Sequence, residues 1–196
     1  MPIFENLRGK FADLWSTCTL IQDGPLYADS FTAAAFAINN KDRYLSVGQP
    51  IGVPWWFVGA IHRRESDGFE SGYCWRTHLA NGNPLTARTV DVPRGRPIKG
   101  NPPFTWEEAA TDALVYEGFG EIEDWRVESA LFHWEAYNGW GYFNRGKPSP
   151  YVWSGTNHYE RGKYGSDNHY DPDLVDKEVG CAAILRCLID AGEVTL

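Results

Sequence analysis

The sequence predicts a mostly helical α+β protein, and three observations predict it. Apolar residues recur at helical spacing in both the N-terminal and the C-terminal parts of the chain. Thr105 and Glu108 have the spacing of a capping box, which marks a helix start within the chain. Between these parts, residues 66–98 are rich in Gly, Pro, Asn and Thr and include one stretch that alternates as a short strand does. A chain of 196 residues without internal repeats or low-complexity tracts is read as a single domain over 1–196.

The elements follow in order. Residues 2–20 place Phe4, Leu7, Phe11, Leu14, Trp15 and Cys18 at helical spacing. Asp29 or Ser30 can N-cap a second helix that runs through Ala33 to Ile38. Gly48 to Val53 breaks the pattern, and Pro54 suits the first turn of a third helix, Trp55 to Arg64. That helix is apolar nearly all round until His62, the pattern of a buried central helix. In 66–98, Asn81-Gly82 is a tight-turn signal and residues 86–92 alternate, so a small β-hairpin is expected there. Gly95 to Pro103 reads as a loop. The capped helix from Thr105 should reach Tyr116 and stop at Gly118, and another should span Asp124 to Tyr137. Residues 139–172 read as a long irregular segment, and long loops are uncommon unless they carry function. A last helix is expected over Pro172 to Ala191.

The formal net charge of −8 argues against nucleic-acid binding, which requires a basic surface to displace counterions. The 9 Trp and 10 Tyr fit either a groove for ring-shaped ligands or a tryptophan-rich core with surface tyrosines. Cys18, Cys74, Cys181 and Cys187 are widely spaced without a Cys-x-x-Cys pair, and are expected as free thiols. Residues 2–10 are polar and amphipathic, unlike a signal peptide, and no run is long enough for a membrane span. The expectation is a monomer made in the cytoplasm, without stable membrane association. No cofactor is expected: His62 and Glu65 stand at i, i+3, but no His-x-x-x-His pair accompanies them, and Cys74 with His78 is a weak nucleophile pair.

The stretch His62-Arg-Arg-Glu65-Ser66-Asp-Gly-Phe69 carries the chemistry. A carboxylic acid at the end of an apolar helix is partly desolvated, which favours its protonated form and suits it to protonate a leaving glycosidic oxygen. The competing account is a surface glutamate paired with Arg63 or Arg64. A second stretch, Ala136-Tyr137-Asn138-Gly139, ends a later helix. Together the Glu-Ser and Ala-Tyr-Asn-Gly stretches resemble the signature motifs of goose-type lysozymes and lytic transglycosylases, in the same order and at a separation of roughly seventy residues. The chain also looks like phage and prophage endolysins. The Gly-Leu-Met-Gln segment of those families is absent, with residues 72–90 in its place.

The resemblance implies a lysozyme-like fold with the hairpin beside the catalytic helix. It implies peptidoglycan glycan strands as substrate and a bacteriolytic role against the cell wall, reached with the help of another factor. Glu65 would be the general acid, and Tyr137 and Asn138 would hold the glycan. For the second catalytic group, Asp67, Glu70, Asp91 and Thr89 come into consideration, and His78 and Thr86 are favoured as groups that position a water. If no base exists, the sugar's own 6-hydroxyl can attack, which is the transglycosylase reaction. Tyr151, Trp153, Asn157 and His158 form a polar and aromatic segment that reads either as a wall of the cleft or as a loop packed on its own aromatics. Two other functions stay open: a chitinase or chitosanase, the latter suited to an acidic groove, and a glycan-binding protein without activity.

Overall fold

A computed structural model describes residues 2–66, 69–165 and 169–196. In chain order its helices are α1 (Phe4–Ser16), α2 (Tyr27–Asn39), α3 (Lys41–Gly48), α4 (Trp55–Glu65), α5 (Trp106–Tyr116), α6 (Val127–Asn138), α7 (Gly141–Asn144), α8 (Pro150–Trp153) and α9 (Cys181–Asp190). Two short strands, β1 (Lys163–Tyr164) and β2 (Tyr170–Asp171), pair antiparallel. The protein is therefore α+β and mostly helical. No described helix is long and apolar enough to cross a membrane. The chain forms two compact units, residues 40–123 and residues 1–39 with 124–196.

In the 40–123 unit, α4 is the centre, with α3 against it and α5 against α3. Every residue from Trp55 to His62 is buried, as a helix apolar on all sides requires. Pro54 is the N-cap, extended at φ −64° and ψ 140°. The capping box forms as the sequence predicts: the Glu108 N–H donates to Thr105 Oγ1 at 3.2 Å, and the Thr105 N–H donates to Glu108 Oε2 at 2.8 Å. α5 stops at Tyr116, ahead of Gly118 at φ 75°.

In the other unit, α1 packs on α6 through Phe4 and Phe11, whose rings lie 5.5 and 6.2 Å from Phe132. Arg8 pairs with Glu128 between the same two helices. α9 supplies seven buried residues and contacts α2, α6 and α8. Gly180 opens α9 where only a glycine fits, since a Cβ there would lie 2.6 Å from both the Ser154 nitrogen and the Val152 oxygen. That close approach fixes the start of the helix at Cys181. Residues 172–180 accordingly stay outside it, contrary to the expected start at Pro172; Gly162 N–H donates to the Leu174 carbonyl and Lys163 pairs with buried Asp176.

Three other boundaries differ from the sequence reading. α2 begins at Tyr27, so Asp29 and Ser30 lie in its first turn, and the Ser30 hydroxyl donates back to the Leu26 carbonyl at 2.8 Å. α6 begins at Val127 because Asp124 accepts from the Arg126 backbone and guanidinium, a local turn that competes with helix. The hairpin expected in 66–98 is reduced to one isolated bridge, Thr77 to Pro84, and the paired strands fall in 163–171 instead. Residues 86–92 do not pair, because the N–H groups of Val90 and Asp91 go to the Asn83 side chain rather than to a neighbouring strand.

Candidate functional site

The end of α4 is built from its buried face outward. His62 is 0% exposed and its ring lies within 4.4–5.2 Å of the rings of Phe69, Trp75 and Trp106. Burial lowers its pKa to about 4, outweighing the opposing effect of the Cys74 carbonyl, so the imidazole is neutral at pH 7. A carbonyl can only accept, so Nε2 donates to Cys74 O at 3.1 Å and Nδ1 accepts from the Tyr44 hydroxyl at 2.9 Å. Both ring nitrogens are thus committed to the fold.

One turn further on, Glu65 is the last helical residue and is half-buried. Ser66 caps the helix in extended conformation and is 5% exposed. Thr77 Oγ1 donates to the Cys74 carbonyl at 3.1 Å and is hydrogen-bonded with Ser66 Oγ at 3.3 Å. The chain then turns over residues 78–83, closed by His78 N–H to Asn83 O at 2.7 Å and Gly82 N–H to His78 O at 2.8 Å. Gly82 sits at φ 71°, and a Cβ on it would lie 2.9 Å from the Glu65 carbonyl oxygen. Two independent constraints therefore demand glycine here, and the turn rests directly against the end of the helix that carries Glu65.

The side chains expected to assist Glu65 are placed differently from the sequence reading. His78 is 2% exposed, packs against Phe104 at 5.9 Å, and donates from Nε2 to the Ala87 carbonyl at 2.8 Å. It holds the 84–87 turn together. Thr86 is exposed in that turn rather than on a strand. Thr89 is 4% exposed and donates to the Pro93 carbonyl. Glu70 is exposed in the turn after α4, and Asp67 lies outside the described residues.

Asp91 has a defined setting. Its Oδ2 accepts from Asn83 Nδ2 at 2.8 Å, while Asn83 Oδ1 accepts from the Val90 and Asp91 N–H groups at 2.9 and 3.2 Å. Asn81 Nδ2 donates to the carbonyls of Asp91 and Val92 at 3.2 and 3.3 Å.

The second motif lies in the other unit, at the end of α6. Asn138 is the last helical residue and is exposed, with Nδ2 donating to Ser149 Oγ at 3.0 Å; Gly139 follows at φ 84°. Tyr137 is half-buried, its ring 6.2 Å from that of Tyr151. The aromatic segment after it is corrected from wall to core: Tyr151 is 4% exposed and Trp153 1%, so neither ring offers a face to a sugar. Asn157 and His158 cap α1. Asn157 accepts from Thr19 N–H and donates to Thr17 O, both at 2.9 Å, and His158 Nε2 donates to Leu14 O at 2.7 Å. The bonds to the Leu14 and Thr17 carbonyls satisfy acceptors that a helix C-terminus leaves without an intrahelical partner.

The sequence reading passed over Glu135, which stands on α6 one residue before the Ala-Tyr-Asn stretch and is 3% exposed. Its Oε1 has no hydrogen-bond partner, and burial raises its pKa to about 8 against a smaller opposing pull from Lys10. A signal was present: Leu131 and Phe132, one turn earlier, are apolar, so a carboxylate at 135 shares their face.

Comparison with known proteins finds no matching family model, no matching curated protein and no matching solved structure.

Proposed function

We propose that the protein cleaves the glycan strand of peptidoglycan, with Glu65 as the acid that protonates the leaving oxygen. One observation carries the reading: Glu65 is the terminal residue of a helix whose residues 55–62 are all buried, and the residue is half-buried where that helix ends. Such a position combines partial desolvation with access to a substrate, the two properties a general acid needs. The motif pair adds support, since Glu65-Ser66 falls at the end of α4 and Ala136-Tyr137-Asn138 at the end of α6. Within its own unit Tyr137 is half-buried and Asn138 exposed. Hydrolysis by a lysozyme-type muramidase, in an endolysin's role in lysis, is the favoured form of the reaction.

A turbidity assay on Gram-negative cells stripped of their outer membrane, comparing wild type with Glu65→Gln, tests the proposal. Clearing by wild type and its loss in the folded variant is the expected result. Equal clearing by both proteins, or none by either, refutes it. Mass spectrometry of the fragments separates reducing ends, from hydrolysis, from anhydro ends, from transglycosylation.

A further inference from the structure

Asp91 is an exposed carboxylate held in a fixed place, and the residues that hold it belong to the turn lying against Glu65. Five hydrogen bonds from Asn81 and Asn83 clamp residues 90–92. Asn83 directly follows Gly82, the residue packed against the Glu65 carbonyl. An exposed aspartate ordinarily samples several rotamers; here the Asn83 amide, whose oxygen accepts from the Val90 and Asp91 N–H groups, donates from its nitrogen to one carboxylate oxygen. No Lys or Arg among the described residues forms an ion pair with Asp91, so its charge is not neutralised.

We propose that Asp91 is the second catalytic carboxylate of the Glu65 site, the base that activates water, and that Asn83 is the residue that positions it. This rests on the glycan-cleavage reading of Glu65. The two groups favoured on sequence do not fill the role: His78 is 2% exposed, with Nε2 donating to the Ala87 carbonyl, so its ring does not face a substrate water, and Thr86 has no group that takes up a proton at neutral pH. In the reaction, the water oxygen attacks the anomeric carbon from the face opposite the leaving sugar. Asp91 takes the water's proton while Glu65 gives its own to the glycosidic oxygen. The bond to the leaving sugar breaks, a new C–OH bond forms with inverted configuration, Glu65 ends ionised and Asp91 protonated. A separation of about 6.5–9.5 Å between the two carboxyls leaves room for that water.

The test compares wild type, Glu65→Gln, Asp91→Asn and Asn83→Ala on purified peptidoglycan, reading kcat, KM and product anomer by NMR. Asp91→Asn keeps an oxygen that can accept from Asn83, so the turn is retained and only the base is lost. The expected result is an inverted anomer from wild type and a kcat lower by about 10²–10⁴-fold in Asp91→Asn, with KM and melting temperature unchanged. Asn83→Ala lowers kcat and moves the limb of the pH–rate profile that belongs to the base, which a merely structural turn residue would leave in place. Asp91→Asn working at the wild-type rate while Glu65→Gln is inactive overturns the role of Asp91 and spares that of Glu65. A retained anomer or anhydro ends also overturn it. A wild type that cleaves no glycan overturns both.

Discussion

α4 and α6 treat their glutamates in opposite ways. On α4, Glu65 is the final residue, just beyond the last fully buried turn, and it stays half-exposed. On α6, Glu135 precedes the end by three residues, within a stretch where Leu131, Phe132 and Trp134 are also buried, and it is 3% exposed with one oxygen unpartnered. The same side chain thus meets solvent in one helix and loses it in the other, and the difference is a matter of position along the apolar face. The lesson is that burial raises the Glu135 carboxyl to about 8 without giving it access to a substrate, whereas the acid proposed for catalysis occupies the less buried place. A strongly shifted carboxyl is not by itself an active-site acid.

The contrast can be broken most decisively at Glu65. Glu65→Gln should reduce glycan cleavage by about 10²–10⁴-fold, the usual share of a general acid, while the melting temperature stays close to wild type. A large loss of stability with activity retained per folded molecule would exchange the roles assigned to the two glutamates.

The next largest effect is expected from pH on Glu135. Its folded pKa of about 8 lies above the 4.5 of an unburied glutamate, so the folded state binds the extra proton between those values. Its contribution to stability is therefore fully present below about 4.5 and is lost as pH rises to about 8. Glu135→Gln should flatten that limb of a melting-temperature profile and be more stable than wild type above pH 8, by on the order of a few kcal/mol. A variant that melts in parallel with wild type over this range would show that Glu135 ionises as an ordinary surface carboxyl does. On the acid side the sign reverses. His62 and His133, both lowered by burial from 6.5 to about 4, favour the folded state above 6.5 and lose that contribution as pH falls to about 4. Acid therefore weakens both units, through His62 in one and His133 in the other.

Gly82→Ala sharpens the comparison from the other end, by moving the turn that rests on Glu65. The side chain would be forced into a positive φ and against the Glu65 carbonyl, at a cost of about 1–3 kcal/mol. Denaturant unfolding measures that cost, and cleavage should fall with it; full stability would mean that the turn does not rest on α4. The smallest effect is expected at Thr105→Ala, which removes one half of the capping box of α5 and should cost about 1 kcal/mol with cleavage per folded molecule unchanged.

Much of this was legible in the residues. The burial of α4 followed from an apolar pattern on every side, and the start of α5 from a capping box whose partners are three residues apart. Both are decided within a turn or two of helix, where spacing along the chain is spacing in space. The placement of Glu65, Tyr137 and Asn138 at or next to helix ends also followed from the sequence. The aromatic segment stayed open between a cleft wall and a packed loop because Tyr and Trp serve a sugar site and a core with the same surface. Only packing distinguishes them, and Trp153 at 1% exposure belongs to the core.

The sequence by itself determined the elements whose stabilising contacts are local: a helical class, a buried α4, a capped α5, and a glutamate at a helix end. Only the tertiary structure decided where α9 begins, because that depends on Gly180 meeting the backbone of Val152 and Ser154 some thirty residues earlier. It likewise decided that residues 86–92 bond to Asn81 and Asn83 instead of to a strand, and that His78 supports a turn. In each case a backbone or side-chain polar group had to find its hydrogen-bond partner. Several partners are compatible with the sequence, and the choice among them is made by which one the fold brings within about 3 Å.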